Sequence, residues 1–289
     1  MACDKDGSIL EVSMKILATD LDRTLLPNGR WESDEEAISL FNALTEKHEV
    51  LVVYVTGRNL ALTEKAIDEF GVRYPDILCS DVGTSIRKFK NGEWSFDYGW
   101  IDHVRRESPN WDAMSIRDVV AGINGMREQE SEHLSQFKQS YYVDHQHKDR
   151  ILKEVDELVK GRFDEVIVYS FDSLDGKGLL DFLPASATKQ TALEYLAEEY
   201  GTAKKDVVFC GDSGNDIFPL TAGFSGVLVR NADDQLVENV KKSMTQNPDL
   251  AVYFAKGGVM GLKGYYTSGV IEGACHYGIF DCAMDSLVT

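Results

Sequence analysis

Apolar residues in this chain gather into short unbroken runs, and helix-period segments lie between them. Ile16 to Ala18, Val50 to Val55, Ile77 to Ser80, Val207 to Cys210 and Val227 to Val229 are such runs, rich in valine, isoleucine and leucine. An apolar run without alternation is the pattern of a strand covered on both faces. Ser33, with Glu36 three residues on, reads as a helix start for a segment through about Lys47. Helix-period segments also fill Leu60 to Phe70 and Lys189 to Tyr200. This β-α-β-α-β alternation predicts an α/β fold with a doubly wound parallel, Rossmann-like core sheet.

The rhythm changes after the third run. Phe89 to Trp94 centres on Asn91-Gly92, a strong hairpin signal. From Gly99 to Pro184 the chain is aromatic-rich, with helices expected over Trp111–Gly122 and Lys148–Lys160. Strands are expected over Phe137–Val143, Glu165–Ser170 and Leu179–Leu183. We read residues 99–184 as an α+β cap inserted into a core made of 14–98 and 185–289. The tail adds expected helices at Leu236–Met244 and Val270–Tyr277.

Charge narrows the partners. With 30 Lys and Arg against 48 Asp and Glu, the net charge is −18 over 289 residues. No basic stripe offers a nucleic-acid surface, and such acidity disfavours anionic membranes. The five cysteines show no C-x-x-C pair and read as reduced, mostly buried thiols. The opening residues include Asp4, Lys5, Asp6 and Glu11, so no secretory signal is expected. The expectation is a cytoplasmic, soluble monomer acting on a small molecule.

Four places share the carboxyl edge of the sheet, where an open α/β fold places its ligand. Asp20 and Asp22 follow the first run two residues apart, and alternate residues of extended backbone face one way. Thr56-Gly57 follows the second run and offers a hydroxyl and an amide. Lys189 opens a helix, where a cation opposes the helix dipole. Asp212, Asn215 and Asp216 follow the fourth run in a small-residue turn. Singly, these read as turn acids, a helix cap and a solvated lysine; jointly they supply the oxygen ligands that Mg²⁺ takes.

Asp20-x-Asp22-x-Thr24, Thr56-Gly57-Arg58, Lys189 and Gly211-Asp212-x-x-Asn215-Asp216 resemble, in order and spacing, the motifs of the haloacid dehalogenase-like phosphatases. The resemblance runs from residue 14 to about 230, with the cap after the second motif. Val82-Gly83-Thr84, Phe137-Lys138-Gln139, Asp181-Phe182-Leu183-Pro184 and Val229-Arg230-Asn231-Ala232 look like the sucrose-phosphate phosphatase group. The resemblance implies hydrolysis of a sugar phosphate through an aspartyl-phosphate. Asp20 would be the nucleophile and Asp22 the acid and base. Thr56, Gly57, Arg58, Lys189 and Asn215 would meet the phosphate. Asp20, the Asp22 carbonyl and Asp212 would hold Mg²⁺, with Asp216 orienting its water or Lys189. Gly83, Thr84, Lys138 and Asp181 would meet the sugar. His145, His147, Trp94, Trp100, Trp111 and the run Glu128 to Glu132 read as structural or solvated, and Met1–Ser13 and Ala255–Tyr266 fit the resemblance less well. Mannosylfructose phosphate, glucosylglycerol phosphate, a broad sugar or nucleotide phosphatase, and a phospho-accepting signalling domain are the alternatives.

Overall fold

The computed structural model describes residues 14–172 and 176–282. The first half runs β1 (Ile16–Thr19), α1 (Ala37–Lys47), β2 (Leu51–Val55), α2 (Leu60–Phe70), β3 (Ile77–Ser80), β4 (Ser85–Lys90), β5 (Glu93–Phe96), α3 (Tyr98–Glu107), α4 (Ala113–Val120), β6 (Met126–Glu128) and β7 (Gln139–Val143). It continues α5 (Lys148–Val159), β8 (Glu165–Asp172), β9 (Lys177–Pro184), α6 (Lys189–Glu199), β10 (Val207–Gly211), α7 (Ile217–Thr221), β11 (Ser225–Leu228), α8 (Asp234–Gln246), β12 (Val252–Phe254) and α9 (Thr267–His276).

Eight strands form one sheet in the order β12-β11-β10-β1-β2-β3-β4-β5. Pairing is parallel from β12 to β3 and antiparallel across β4 and β5. Period two sorts the side chains. Ile16 and Ala18 face a cluster with Trp100 and Val104 of α3, Leu193 and Leu196 of α6, and Val240 of α8. Leu17 faces the other cluster, with Phe41 of α1, Ile67 of α2 and Ile271 of α9. Both faces are covered, which is why the strands read as unbroken apolar runs. The Asn91-Gly92 turn has φ +55° and +83°, the two left-handed residues that a tight hairpin requires.

A second, antiparallel sheet has the order β6-β7-β9-β8. Tyr141, Val143, Leu180 and Phe182 pack against Ile116 and Val120 of α4 and Ile151, Val155 and Val159 of α5. The alternate positions, among them Tyr142, Leu179 and Asp181, turn to the opposite face and line a cavity. Val82 of the large layer meets Val168 and Leu183 of the small one in an apolar seam.

Three local expectations are corrected. Glu36, not Ser33, stands at the start of α1, and it makes no side-chain cap. The preceding chain is instead tied to the tail, because Asp34 Oδ2 accepts from the Lys263 amide (2.8 Å) and the Ser268 hydroxyl (2.6 Å). Helix α3 was not expected, nor was the three-residue β12. Of the cysteines, Cys275 and Cys282 are joined in a disulfide, whereas Cys79 and Cys210 are buried thiols; Cys3 lies outside the described residues, as does the extension Met1–Ser13.

Candidate active site

Sheet connectivity reverses between β1 and β10, since β2 lies on one side of β1 and β10 on the other. That reversal opens a crevice at the strands' carboxyl ends. Asp20 follows β1 directly and Asp212 follows β10, and the Asp20 amide donates to the Cys210 carbonyl at 2.9 Å. Lys189 is the first residue of α6, behind the Thr188 cap. Its buried ammonium donates to Asp20 Oδ1 (2.6 Å), Asp216 Oδ1 (2.8 Å) and Asn215 Oδ1 (3.2 Å). Those three oxygens offset the unfavourable helix dipole.

Asp216 spends its other oxygen as well, since Oδ2 accepts from the amides of Asp212 (3.0 Å) and Ser213 (3.1 Å). Gly211 makes this fit possible: a Cβ there would lie 2.6 Å from Asp216 Cγ. Gly83, with φ +94°, lets its backbone approach α6, where a Cβ would meet the Thr188 carbonyl at 2.5 Å.

Oxygens of Asp20, Asp212 and Asp216 lie within 4.8 Å of one another. Burial pushes Asp20 up to about 7; Lys189 pulls it down, while Asp216 and Asp22 add to the rise. Burial likewise holds Asp212 well above the usual carboxylate range, against the pull of Arg23. Arg23 Nε lies 3.1 Å from Asp212 Oδ2, yet this buried oxygen accepts no hydrogen bond, so the contact is an ion pair off the hydrogen-bonding axis. An all-oxygen donor set, crowded negative charge and an unspent buried lone pair fit a hard divalent cation. Both oxygens of Asp216 already accept hydrogen bonds, whereas Asp212 keeps Oδ2 without one, so Asp20 and Asp212 are the better placed to take an ion.

Asp22 faces elsewhere. Arg58 grips it through Nη2 to Oδ1 (2.6 Å) and Nε to Oδ2 (2.8 Å), and Asn28 Nδ2 donates to Oδ1 at 2.6 Å. Partial burial favours the neutral acid, but the bonds from Arg58 and Asn28 win and hold Asp22 below the usual carboxylate range.

Between the two sheets lies a cavity of about 440 Å³. Asp20, Asp22, Gly57, Arg58 and Asn215 line it from the large layer, and Lys138, Tyr142 and Asp181 from the small one. Lys138 Nζ stands 3.9 Å from Asp181 Oδ1 and 3.5 Å from the Gly57 carbonyl, and the Ser140 hydroxyl donates to Asp181 Oδ1 at 2.5 Å.

The sequence profile of the sucrose-6F-phosphate phosphohydrolase family matches residues 13–278. The chain belongs to this family. A Nitrosococcus oceani protein described as a HAD-like hydrolase is 33% identical over 267 residues, covering 91% of this chain and 71% of that one. Sucrose-phosphatase 2 of Nicotiana tabacum is 30% identical over 244 residues, and this chain spans 54% of its length. Mannosylfructose-phosphate phosphatase of Agrobacterium fabrum is 29% identical over 227 residues, 78% of this chain and 86% of that protein. The Synechocystis sp. sucrose-phosphatase, crystallised with sucrose and phosphate, shares the fold with TM-score 0.73 at 23% identity, over 92% of this chain and 98% of that one.

Several motif residues are buried and do not line this cavity. Thr56 is buried, its hydroxyl accepting from the Arg58 amide at 3.1 Å. Gly83 and Thr84 lie below the wall as packing residues, and Thr84 bonds to the Asp81 carbonyl at 3.0 Å. The supposedly solvated run at Glu128 to Glu132 brings Gln129 and, just beyond it, His133 to the wall. Arg23, Asn28 and Lys177 also reach the cavity unforeseen. Arg23 and Asn28 could have been found from their place beside the Asp20–Asp22 motif; Lys177 carried no signal. Trp100 is core, bonding through Nε1 to the Thr84 carbonyl at 3.3 Å, and His145 bonds to the Tyr169 hydroxyl at 2.7 Å. Among the described residues, no helix is long and apolar enough to cross a membrane.

Proposed function

We propose that this chain hydrolyses a glycosyl phosphate monoester, sucrose 6-phosphate or a close relative, through a phosphoryl group carried on Asp20. The observation that carries the reading is the buried Lys189 ammonium, shared between Asp216 (2.8 Å) and Asp20 (2.6 Å), with Asp20 itself lining a cavity that also presents Lys138 and Asp181.

Asp20 attacks phosphorus in line, the bond from phosphorus to the sugar oxygen breaks, and Asp22 gives that oxygen a proton. Water then attacks phosphorus, Asp22 takes the water's proton, and the bond from phosphorus to Asp20 breaks. Positioned proton transfer of this kind is worth about 10²–10⁴ in rate. In the resting arrangement Asp22 is an ionised acceptor held by Arg58, so it parts from the guanidinium and takes up a proton from solvent before it donates. Asp20 and Asp212, with the Asp22 carbonyl, would hold Mg²⁺, which lets an anionic nucleophile approach an anionic phosphate. Asp216 keeps Lys189 aimed at Asp20, and Lys189, Asn215 and the Gly57 amide meet the phosphoryl oxygens.

The four-stranded sheet with α4 and α5 serves as a cap, starting after α3, whose Trp100 and Val104 belong to the core cluster. It presents Lys138 and Asp181 to sugar hydroxyls and keeps bulk water out. Mannosylfructose phosphate is the second reading, favoured by the Agrobacterium relative, which matches over most of its own length.

A phosphate-release panel with Mg²⁺ tests this. Sucrose 6-phosphate or mannosylfructose phosphate should exceed every monosaccharide phosphate in kcat/KM by tenfold or more. Equal values for monosaccharide phosphates would contradict the disaccharide assignment.

A further inference from the structure

Arg23 stands inside the Asp20–Asp22 motif in the left-handed region, with φ +58°. A bulky residue there is strained, and the surroundings must hold it. Its amide donates to Asn28 Oδ1 at 2.7 Å, and its carbonyl accepts from Asn231 Nδ2 at 2.6 Å. Asn231 is itself fixed, because its Oδ1 accepts from the Tyr266 amide at 2.8 Å. The tail segment that fits the resemblance less well thus helps to set the Arg23 backbone. The side chain then runs to Asp212 Oδ2 (3.1 Å from Nε) and Asp233 Oδ2 (3.5 Å from Nη2).

The charges around this point do not balance. Asp22 pairs with Arg58, Lys189 is shared by Asp20 and Asp216, and Arg23 is shared by Asp212 and Asp233. Among these groups the carboxylates outnumber the cations, a surplus that suits a divalent ion. Arg23 nevertheless presses on the one buried Asp212 oxygen that accepts no hydrogen bond, and that oxygen is what an ion would take. A guanidinium cannot lose its charge to make room.

We propose that Arg23 is a positioning residue that sets how tightly this site holds its divalent cation. Its guanidinium lies against Asp212 Oδ2 when no ion is bound, and it yields that oxygen to the ion on binding. The inference rests on the reading that Asp20 and Asp212 hold Mg²⁺. Binding therefore works against a fixed positive charge a few ångströms away, so affinity is lower than the carboxylates alone would give. Asp233 offers the displaced guanidinium a partner, which keeps the exchange from stranding it.

Isothermal titration of Mg²⁺ into the full chain, without substrate, tests this. Arg23→Gln should bind Mg²⁺ roughly tenfold more tightly than wild type, as removal of a nearby like charge requires. Arg23→Lys keeps the charge and should stay within about threefold of wild type. Asp212→Asn should lose Mg²⁺ binding in either background. If Asp212→Asn loses binding while Arg23→Gln binds Mg²⁺ as wild type does or more weakly, the Arg23 proposal is overturned and the metal reading stands. If Asp212→Asn binds Mg²⁺ undiminished, the metal reading itself fails and carries the proposal with it. Should Arg23→Gln not fold, the Arg23 Nε–H nuclear magnetic resonance signal of the wild type decides. It should shift on Mg²⁺ titration, and an unmoved signal at saturating Mg²⁺ overturns the proposal.

Discussion

Arg58 grips Asp22 with two bonds, Nη2 to Oδ1 at 2.6 Å and Nε to Oδ2 at 2.8 Å, across the mouth of the crevice. A bidentate pair of this kind is both strong and directional. It keeps Asp22 ionised and holds it apart from the carboxylates around Lys189.

Removing that grip should change when Asp22 works, not whether the protein folds. Arg58 lowers the Asp22 pKa, so Arg58→Met should raise it. Where deprotonated Asp22 is needed to activate water, the acid limb of the kcat profile should move to higher pH. The pair's own stabilisation is present above the unfolded aspartate pKa and is lost as pH falls through the depressed folded value. An acid limb left in place by Arg58→Met would count against Asp22 as the base.

Lys189→Met should be far more damaging. The substitution leaves Asp20 and Asp216 buried without their shared cation. Breaking a buried ion pair from one side costs about 3–5 kcal/mol. Urea unfolding should show a loss of that order, and phosphate release should vanish. A loss below about 1 kcal/mol would mean that the network is held by other partners.

Two glycines separate backbone strain from site geometry. Gly83 and Gly92 both have positive φ, but a Cβ at Gly83 would meet the Thr188 carbonyl at 2.5 Å, whereas nothing lies within 4 Å at Gly92. Gly92→Ala should cost about 1–2 kcal/mol and spare turnover. Gly83→Ala should cost more and push Lys189 off Asp20, lowering kcat with little change in KM. Equal kinetic effects would contradict this placement.

Without metal, the protein should lose stability as pH rises from about 4 to about 7. The Asp20 pKa is raised from 3.8 to about 7, so in that window the folded state binds more protons than the unfolded one, and stability falls with pH. Asp212 is raised as well and acts with the same sign. Mg²⁺ should flatten the slope by taking the proton's place. Thermal unfolding at several pH values, with and without Mg²⁺, reads this directly, and identical slopes would contradict it.

The strands and the meeting of Asp20 with Asp212 were legible because both follow unbroken apolar runs, and parallel strands deliver their ends to one edge. Lys138 and Asp181 were legible as a pair only with the pairing register, which sets Ser140 opposite Asp181 on one face. Helix α3 escaped because only Trp100 and Val104 of its ten residues are buried. Thr84 misled, since a hydroxyl beside a glycine turn reads alike whether it meets a ligand or its own backbone. Arg23 was out of reach for a different reason. Its direction depends on a positive φ held by Asn231 and on Asp233, 210 residues away.

The central claim is that Asp20 carries the phosphoryl group. Asp22→Asn enzyme, mixed with sucrose 6-phosphate and Mg²⁺, quenched in acid and reduced with borohydride, converts an acyl phosphate to homoserine that peptide mass spectrometry can place. The account predicts homoserine at position 20 and at no other aspartate. Homoserine elsewhere, or an unmodified Asp20 in enzyme that has released one equivalent of sucrose but no inorganic phosphate, would contradict it.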